Sequence, residues 1–185
     1  MPENIILHKN VQSGPTNGKP RRVFRSQPID CLDDSRVHRM LAQKGFLDEK
    51  PKKNDRGARR VRIVTKKAVN EVVYDHVTNL TWQQNGSPRY MMFLNAGSYI
   101  SQLNYDKHCS FDDWRLPTLE EAMTLLEMRK NSNGLYIDSV FDTLQCAIWT
   151  ADKNTTSYAW AVNFYRASCH QFLINYDSLY VRAVR

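Results

Sequence analysis

The sequence predicts a mixed α+β fold. Its 185 residues suffice for one domain with a hydrophobic core, and a hydrophobic content of 42% with 11% aromatic residues is typical of a globular protein. The apolar periodicity changes along the chain from a hairpin to two helices and then to several strands. Runs of helices and strands in that order favour α+β over an alternating α/β arrangement.

Charge divides the chain near residue 70. Residues 1–70 hold 17 lysines and arginines against 7 acids, a net charge of +10, whereas residues 71–185 hold 9 against 12, a net charge of −3. We therefore assign residues 1–70 to a basic N-terminal extension with one short helix, and residues 71–185 to the globular domain. A basic segment favours a polyanion as partner, either a glycosaminoglycan or nucleic acid, and the alternative is a solvated leader.

The extension itself contains few structural signals. Glycine and proline among polar residues predict an extended arm over residues 1–28. Asp33, Asp34 and Ser35 are candidate N-caps, and Gly45 is placed to stop a helix, so we predict a short helix between them. Alternating charged and branched residues over 60–65 predict an edge strand.

The first half of the domain predicts a hairpin followed by a helix. Residues 72–74 and 80–83 indicate two strands, and Asn79 between them tolerates the left-handed backbone of a turn. Apolar residues then recur at helical spacing and predict a buried stripe; these residues are Met92, Ala96, Tyr99, Ile100 and Leu103.

A second helix and three further strands complete the predicted elements. Thr118 and Glu121 form a capping-box signature, and the apolar face behind it comprises Leu119, Ala122, Leu125 and Leu126. Residues 147–150, 158–164 and 180–184 are rich in aromatic or β-branched residues and predict strands. Arg182 and Arg185 alternate with valines, so we expect them to face solvent or an acidic partner.

Residues 164–179 have the composition of a binding surface. They follow neither helical nor strand periodicity, which predicts a partly exposed loop, and tyrosine mixed with small polar residues is typical of paratopes. The alternative is that Phe172, Leu173 and Ile174 simply pack in the core. The candidate ligand-binding residues are Tyr165, Arg166, Ala167, Ser168, His170, Phe172, Leu173, Ile174, Asn175, Tyr176, Asp177, Ser178 and Leu179.

No motif for catalysis, metal binding or a cofactor is present in the sequence. The four cysteines form no C-x-x-C pair, the five histidines show no H-x-x-x-H spacing, and no glycine-rich phosphate loop occurs. We therefore predict a non-enzymatic protein with no catalytic residue, no metal and no cofactor.

Several short motifs in order resemble one known family. They are Val73-Tyr74-Asp75, Thr78-Asn79-Leu80 with Trp82, residues 113–121 beginning Asp-Trp-Arg-Leu-Pro-Thr, Trp149-Thr150-Ala151, Ala159-Trp160, and the closing residues 181–185. Together they resemble a bacterial domain family with a C-type-lectin-like fold, related in shape to the formylglycine-generating enzyme. The family includes the C-terminal domain of a bacterial collagen-like adhesin. Asn79 and residues 166–168 stand where the family usually has glycine.

The resemblance implies a C-type-lectin-like domain with two helices and several short antiparallel strands. It also implies a module whose C-terminal surface binds an unidentified protein or carbohydrate ligand. Some relatives resemble the variable proteins of diversity-generating retroelements, in which asparagine codons are rewritten at their adenines. Within residues 164–179, only Gln171 cannot arise from an asparagine codon in this way. A formylglycine-generating-enzyme-like oxidase, using Cys146 and Cys169, is the less favoured alternative.

Nothing in the sequence indicates membrane insertion or export. No apolar run approaches the ~20 residues that a membrane-spanning helix needs, and the run at residues 5–7 is too short for a signal peptide. We expect a soluble, cytoplasmic protein, with display on a cell surface or phage as the alternative. The oligomeric state has no signature in the sequence.

Overall fold

The structure is a computed structural model that describes residues 24–46, the backbone of 66–69, and residues 71–185. The strand predicted over 60–65 and most of the extended arm predicted over 1–28 lie outside the described residues. Helix α1 spans Asp34–Lys44 with the predicted caps: Asp33 accepts a hydrogen bond from the Arg36 amide, and Gly45 adopts a left-handed backbone with φ of 61°. Both caps are therefore confirmed.

The first sheet contains the predicted hairpin. Strands β1 (Lys66–Val69), β2 (Val72–Asp75) and β3 (Leu80–Gln83) are antiparallel in that order. Asn79 adopts φ of 62° in the β2–β3 turn. The buried carboxylate of Asp75 accepts from the Val77 amide at 2.9 Å and so stabilises the same turn.

The helical half of the domain differs from the sequence prediction in two places. Strand β4 (Met91–Met92) precedes α2 (Phe93–Tyr105), a 3-10 helix (His108–Ser110) and α3 (Leu119–Met123). The Thr118–Glu121 capping box is confirmed. Met92 is exposed instead of buried, because it pairs in a sheet. Helix α3 ends before Leu125, and Leu126 forms a bridge with Ile137 instead.

The second large sheet consists of β5 (Ala147–Lys153), β6 (Tyr158–Asn163) and β7 (Ser168–Leu173), all antiparallel. Strand β7 replaces the loop predicted there. It lacks clean alternation because its two faces pack against different clusters: Cys169 belongs to one and Phe172 packs against the other. The short strand β8 (Ser178–Leu179) pairs with β4.

Residues 180–184 are not the continuous strand that we predicted. They form isolated bridges to three elements, joining Tyr180 to Ile148 and Val184 to both Trp82 and Arg115. Backbone hydrogen bonds from β3 reinforce this path, including one from the Gln83 amide to the Ala183 carbonyl at 2.9 Å. The C-terminal residues thus connect the two large sheets.

Two hydrophobic clusters lie on opposite faces of the β5–β6–β7 sheet. Trp160 and Val162 of β6 belong to the larger cluster, and Ala159 and Ala161 belong to the smaller one, as the alternation of a strand requires. Part of the larger cluster comes from the N-terminal segment: Leu32, Val37, Leu41 and Phe46. The boundary predicted at residue 70 therefore separates charge, but residues 24–46 share a core with the domain.

Helices and antiparallel strands confirm the predicted α+β class. None of the helices in the described parts of the chain combines the length and apolar character that crossing a bilayer requires.

Candidate ligand-binding surface

The structure sorts the candidate residues into three groups by exposure. The exposed group comprises Tyr165, Arg166, His170, Leu173, Asn175, Tyr176 and Ser178, and Phe172, Asp177 and Leu179 are half-buried. The third group is buried: Ala167, Ser168 and Ile174. Ile174 packs in the smaller cluster, where Phe172 and Leu179 also make contact. The three buried residues cannot present side chains to a ligand, so we remove them from the candidate surface.

A compact turn joins β6 to β7, and we call its two exposed residues, Tyr165 and Arg166, the hairpin tip. The Asn163 side chain accepts hydrogen bonds from both of their amides, at 2.9 and 3.0 Å. Ala167 closes the turn with a left-handed φ of 58°, a backbone conformation that glycine adopts without strain. Lys130 Nζ lies 4.6 Å from the centre of the Tyr165 ring. Hydrogen bonds therefore fix the backbone of the hairpin tip, and the Tyr165 ring already contacts Lys130.

The other end of β7 leads into a second turn. Asp177 Oδ2 accepts from the Leu173 amide at 2.8 Å, and the Asp177 amide donates to the Leu173 carbonyl at 3.0 Å. Between Leu173 and Asp177, Ile174 is buried, whereas Asn175 and Tyr176 are exposed, Tyr176 to 82%. Pairing of β4 with β8 places Met92 opposite Ser178. We call Met92, Leu173, Asn175, Tyr176 and Ser178 the turn surface.

The candidate residues thus form two separate surfaces. The six residues of β7 separate the hairpin tip from the turn surface, roughly 20 Å at the usual rise of a strand. His170 lies between them, and its Nε2 is 2.9 Å from the Ser168 hydroxyl. Sequence reasoning missed Met92, which it had assigned to the buried stripe of α2. Only the β4–β8 pairing, between residues distant in sequence, reveals its position.

Arg182 is fully buried, contrary to our expectation that it faces solvent or an acidic partner. Its guanidinium donates to the carbonyls of Gln83 (3.1 Å), Gln84 and Asp142 (2.9 Å) and to the Gln145 side chain (2.9 Å). Burial lowers the pKa of Arg182 to about 9. Arginine has the donors to satisfy several inward-facing acceptors at once, which explains a charge in this position.

Two further arginines in the motifs hold loops in place. Arg115 makes a bidentate pair with Glu121, both contacts at 2.7 Å, so Glu121 serves the helix cap and this ion pair together. Arg185 donates to Asp113 at 2.6 Å and lies 3.8 Å from the centre of the Phe111 ring. The Arg185 hydrogen bond lowers the pKa of Asp113.

Asp152 joins the N-terminal segment to the domain. This fully buried carboxylate accepts from the Arg25 guanidinium at 2.8 and 2.7 Å, from the Ile29 amide at 2.7 Å and from the Leu119 amide at 2.6 Å. We call Glu121, Asp152 and Arg182, with their partners Arg115 and Arg25, the polar framework.

Ion pairs also engage three of the four arginines and lysines in residues 24–46. Arg25 pairs with Asp152, Arg36 with Asp33, and Lys44 with Glu120. Arg25 and Lys44 contribute to the lining of a groove of about 450 Å³ between α1 and the segment before it. No residue of 164–179 lines this groove. The other arginines and lysines that could contact a polyanion lie mostly outside the described residues.

The cysteines do not form the reactive pair considered above. Cys146 precedes β5 and Cys169 lies in β7, on opposite sides of β6. Two strand spacings of about 4.8 Å separate them, beyond the reach of a disulfide. Elsewhere, burial and the Glu71 carboxylate raise the pKa of the Cys109 thiol, the opposite of the shift that activates a nucleophilic cysteine.

These features define a mixed α+β module with a buried polar framework and an exposed C-terminal turn. Residues 71–185 match the family described as the Lcl C-terminal domain, and the chain belongs to that family, which is linked to C-type-lectin-like variable domains. No curated protein shows significant similarity to the chain.

Proposed function

We propose that the protein is a non-enzymatic ligand-binding module on a C-type-lectin-like scaffold, and that the turn surface contacts the ligand. One observation carries this proposal. The backbone of the turn is fixed by Asp177 and by buried Ile174, while the side chains between and beside them are exposed. Because packing in the core does not constrain these exposed side chains, their residue types can suit a ligand.

The chemistry of the turn surface suits recognition of a protein or carbohydrate. Tyr176 offers a large amphipathic contact area at a small cost in conformational entropy, and Asn175 and Ser178 offer adaptable hydrogen bonds. Met92 and Leu173 add apolar contacts, and methionine adapts readily to different partners. Because the backbone is already ordered, less entropy is lost when the ligand binds.

The test is a selection from a displayed library. Randomising Leu173, Asn175, Tyr176 and Ser178 should yield folded variants that bind lysozyme, chosen as an unrelated protein target. The control library randomises four exposed residues of α2: Leu94, Asn95, Ser98 and Ser101. We expect binders from the first library and none from the second. Binders from both libraries, or from neither, would contradict a specialised turn surface.

We further propose that a retroelement diversifies this surface. Four of its five residues fall within the segment whose composition is consistent with adenine-directed mutagenesis, and Met92 is the constant member. The prediction concerns the surrounding DNA: a near-copy of the codons for residues 164–179, differing only at adenines, beside a reverse transcriptase gene. A locus without such a copy would rule out diversification while leaving ligand binding intact.

Polyanion binding through residues 1–70 is the second candidate, and their net charge of +10 favours it. Because Leu32, Val37 and Leu41 contribute to the core, deleting the whole extension would disturb the fold. A cleaner variant deletes residues 1–23 and replaces Lys52, Lys53, Arg59 and Arg60 with glutamine. Heparin retention at low salt should be lost in this variant. Unchanged retention would dismiss the hypothesis.

A further inference from the structure

Three potential metal ligands meet at a point far from the turn surface along α2. Glu71 lies in the turn between β1 and β2, and His108 and Cys109 lie in the 3-10 helix that follows α2. One ligand atom from each residue falls within 4.8 Å of the other two. No motif in the sequence indicated this cluster, because the glutamate is distant from the other two residues along the chain.

The donor types and their spacing fit a zinc ion. Thiolate, imidazole and carboxylate are the three ligand classes that zinc accepts, and bond lengths of about 2.0–2.1 Å to nitrogen and about 2.3 Å to sulfur place the two atoms about 3.6 Å apart in a tetrahedron. Cys109 Sγ and His108 Nε2 are 3.3 Å apart. Glu71 is exposed, so its side chain is free to adjust the remaining distance.

The surrounding structure positions these donors. His108 packs against Trp114 with ring centres 5.8 Å apart, and the Trp114 indole donates to the His108 carbonyl at 3.1 Å. Trp114 is itself buried, and Asn104 makes hydrogen bonds to its backbone amide and carbonyl. The left-handed backbone of Cys109, with φ of 53°, brings its sulfur toward the ring of the preceding residue.

We propose that Glu71, His108 and Cys109 bind one Zn²⁺ ion, with the fourth position left to water. The Cys109 thiol loses its proton to solvent when the metal binds. The ion joins the β1–β2 turn to the segment between α2 and Trp114, and so fixes the C-terminal end of α2. This role is independent of ligand binding at the turn surface.

Cobalt is the probe for this site, because Co²⁺ replaces zinc and reports on thiolate ligation through a charge-transfer band in the near ultraviolet. One equivalent of Co²⁺ should produce that band in the full chain, and Zn²⁺ should abolish it. The background variant Cys31→Ser/Cys146→Ser removes the two exposed thiols and should keep the band. In that background, Cys109→Ser should remove it.

Glu71→Gln tests the metal site without disturbing the fold, because Glu71 is exposed and its replacement leaves the core intact. We expect its cobalt affinity to fall by more than about tenfold, because loss of even an outer-shell partner typically has such an effect. Circular dichroism confirms that each variant is folded. The proposal is overturned if no band forms, if the band survives Cys109→Ser, or if Glu71→Gln binds cobalt as tightly as the parent.

Discussion

Arg182 of the polar framework is close in the chain to Ser178 of the turn surface, but the framework and the turn surface differ in burial and in hydrogen bonding. Arg182 is fully buried and donates hydrogen bonds to four acceptors, whereas Ser178 is exposed. The Tyr176 side chain makes no hydrogen bond to any described residue, although its backbone amide donates to the Leu173 carbonyl at 3.3 Å. The Asp152 carboxylate, in contrast, accepts four hydrogen bonds. The difference teaches that the residues that stabilise this module are separate from those that we propose for ligand recognition.

The separation has a chemical basis. Buried acceptors without donors destabilise a fold, so the framework residues are tightly constrained in type and geometry. An exposed side chain on a fixed backbone contacts water until a ligand displaces that water. Most replacements at such a position therefore change the free energy of unfolding little. Substitutions in the two regions should therefore differ in their effect on the free energy of unfolding.

Arg182→Met should show the largest effect. It removes one hydrogen bond from each of three backbone carbonyls and from the Gln145 side chain, and the Gln84 carbonyl keeps only the Asp142 amide as a donor. We expect this loss to lower the free energy of unfolding by on the order of 4 kcal/mol. Chemical denaturation measures this change. Arg182→Lys keeps the charge but has fewer donors, so its free energy of unfolding should lie between those of the parent and of Arg182→Met. A loss below about 1 kcal/mol for the methionine variant would place the stabilising contacts elsewhere.

Asp152→Ala should rank second. The carboxylate binds Arg25 and two backbone amides, and breaking a buried ion pair typically has an effect of about 3 kcal/mol. Hydrogen exchange should accelerate at residues 25–32 in particular. The matched control is Asp30→Asn, since Asp30 is highly exposed and pairs only with Lys153 in the same region. Equal effects of the two variants would contradict the framework role of Asp152.

Ala167→Gly should act in the opposite direction. Glycine adopts the left-handed backbone of this position without strain, so we expect a gain of about 0.5–1 kcal/mol in the free energy of unfolding. The control Ala42→Gly lies at an exposed position in α1 and should lose about 1 kcal/mol. Destabilisation by both glycines would show that φ at residue 167 is not the limiting factor.

Asp113→Asn should have a small effect that depends on pH. Pairing with Arg185 holds the pKa of Asp113 below its ordinary value of 3.8, so the stabilisation is present above that pH and disappears as the pH falls through the folded-state pKa. The pair is largely exposed, and we expect less than about 1 kcal/mol at neutral pH. Parent and variant should converge in stability at acid pH, and a constant difference would exclude this origin.

Local signals in the sequence predicted the parts of the fold that depend on neighbouring residues. Asp33, Gly45, Asn79 and the Thr118–Glu121 box act within one turn of chain, and the structure confirms each of them. Features created by distant pairing were not predicted. Strand β7 depends on β6, and the burial of Arg182 depends on carbonyls from three remote residues.

The same distinction applies to the candidate surface. Its composition indicated exposure correctly at Tyr165, Arg166, His170, Leu173, Asn175, Tyr176 and Ser178. Composition could not show that Ala167 and Ile174 turn inward, because both are set by the two turns that flank β7. Nor could it show that β7 separates the residues into two surfaces.

The most direct measurement is the free energy of unfolding of the combined variant Leu173→Thr, Asn175→Ser, Tyr176→Ser and Ser178→Thr. These four changes replace most of the turn surface and leave Asp177, Ile174 and the polar framework unaltered. We predict a change of less than about 1 kcal/mol, with hydrogen exchange in β5 and β6 as slow as in the parent. A loss as large as that of Arg182→Met would show that the turn surface belongs to the scaffold and would contradict the account.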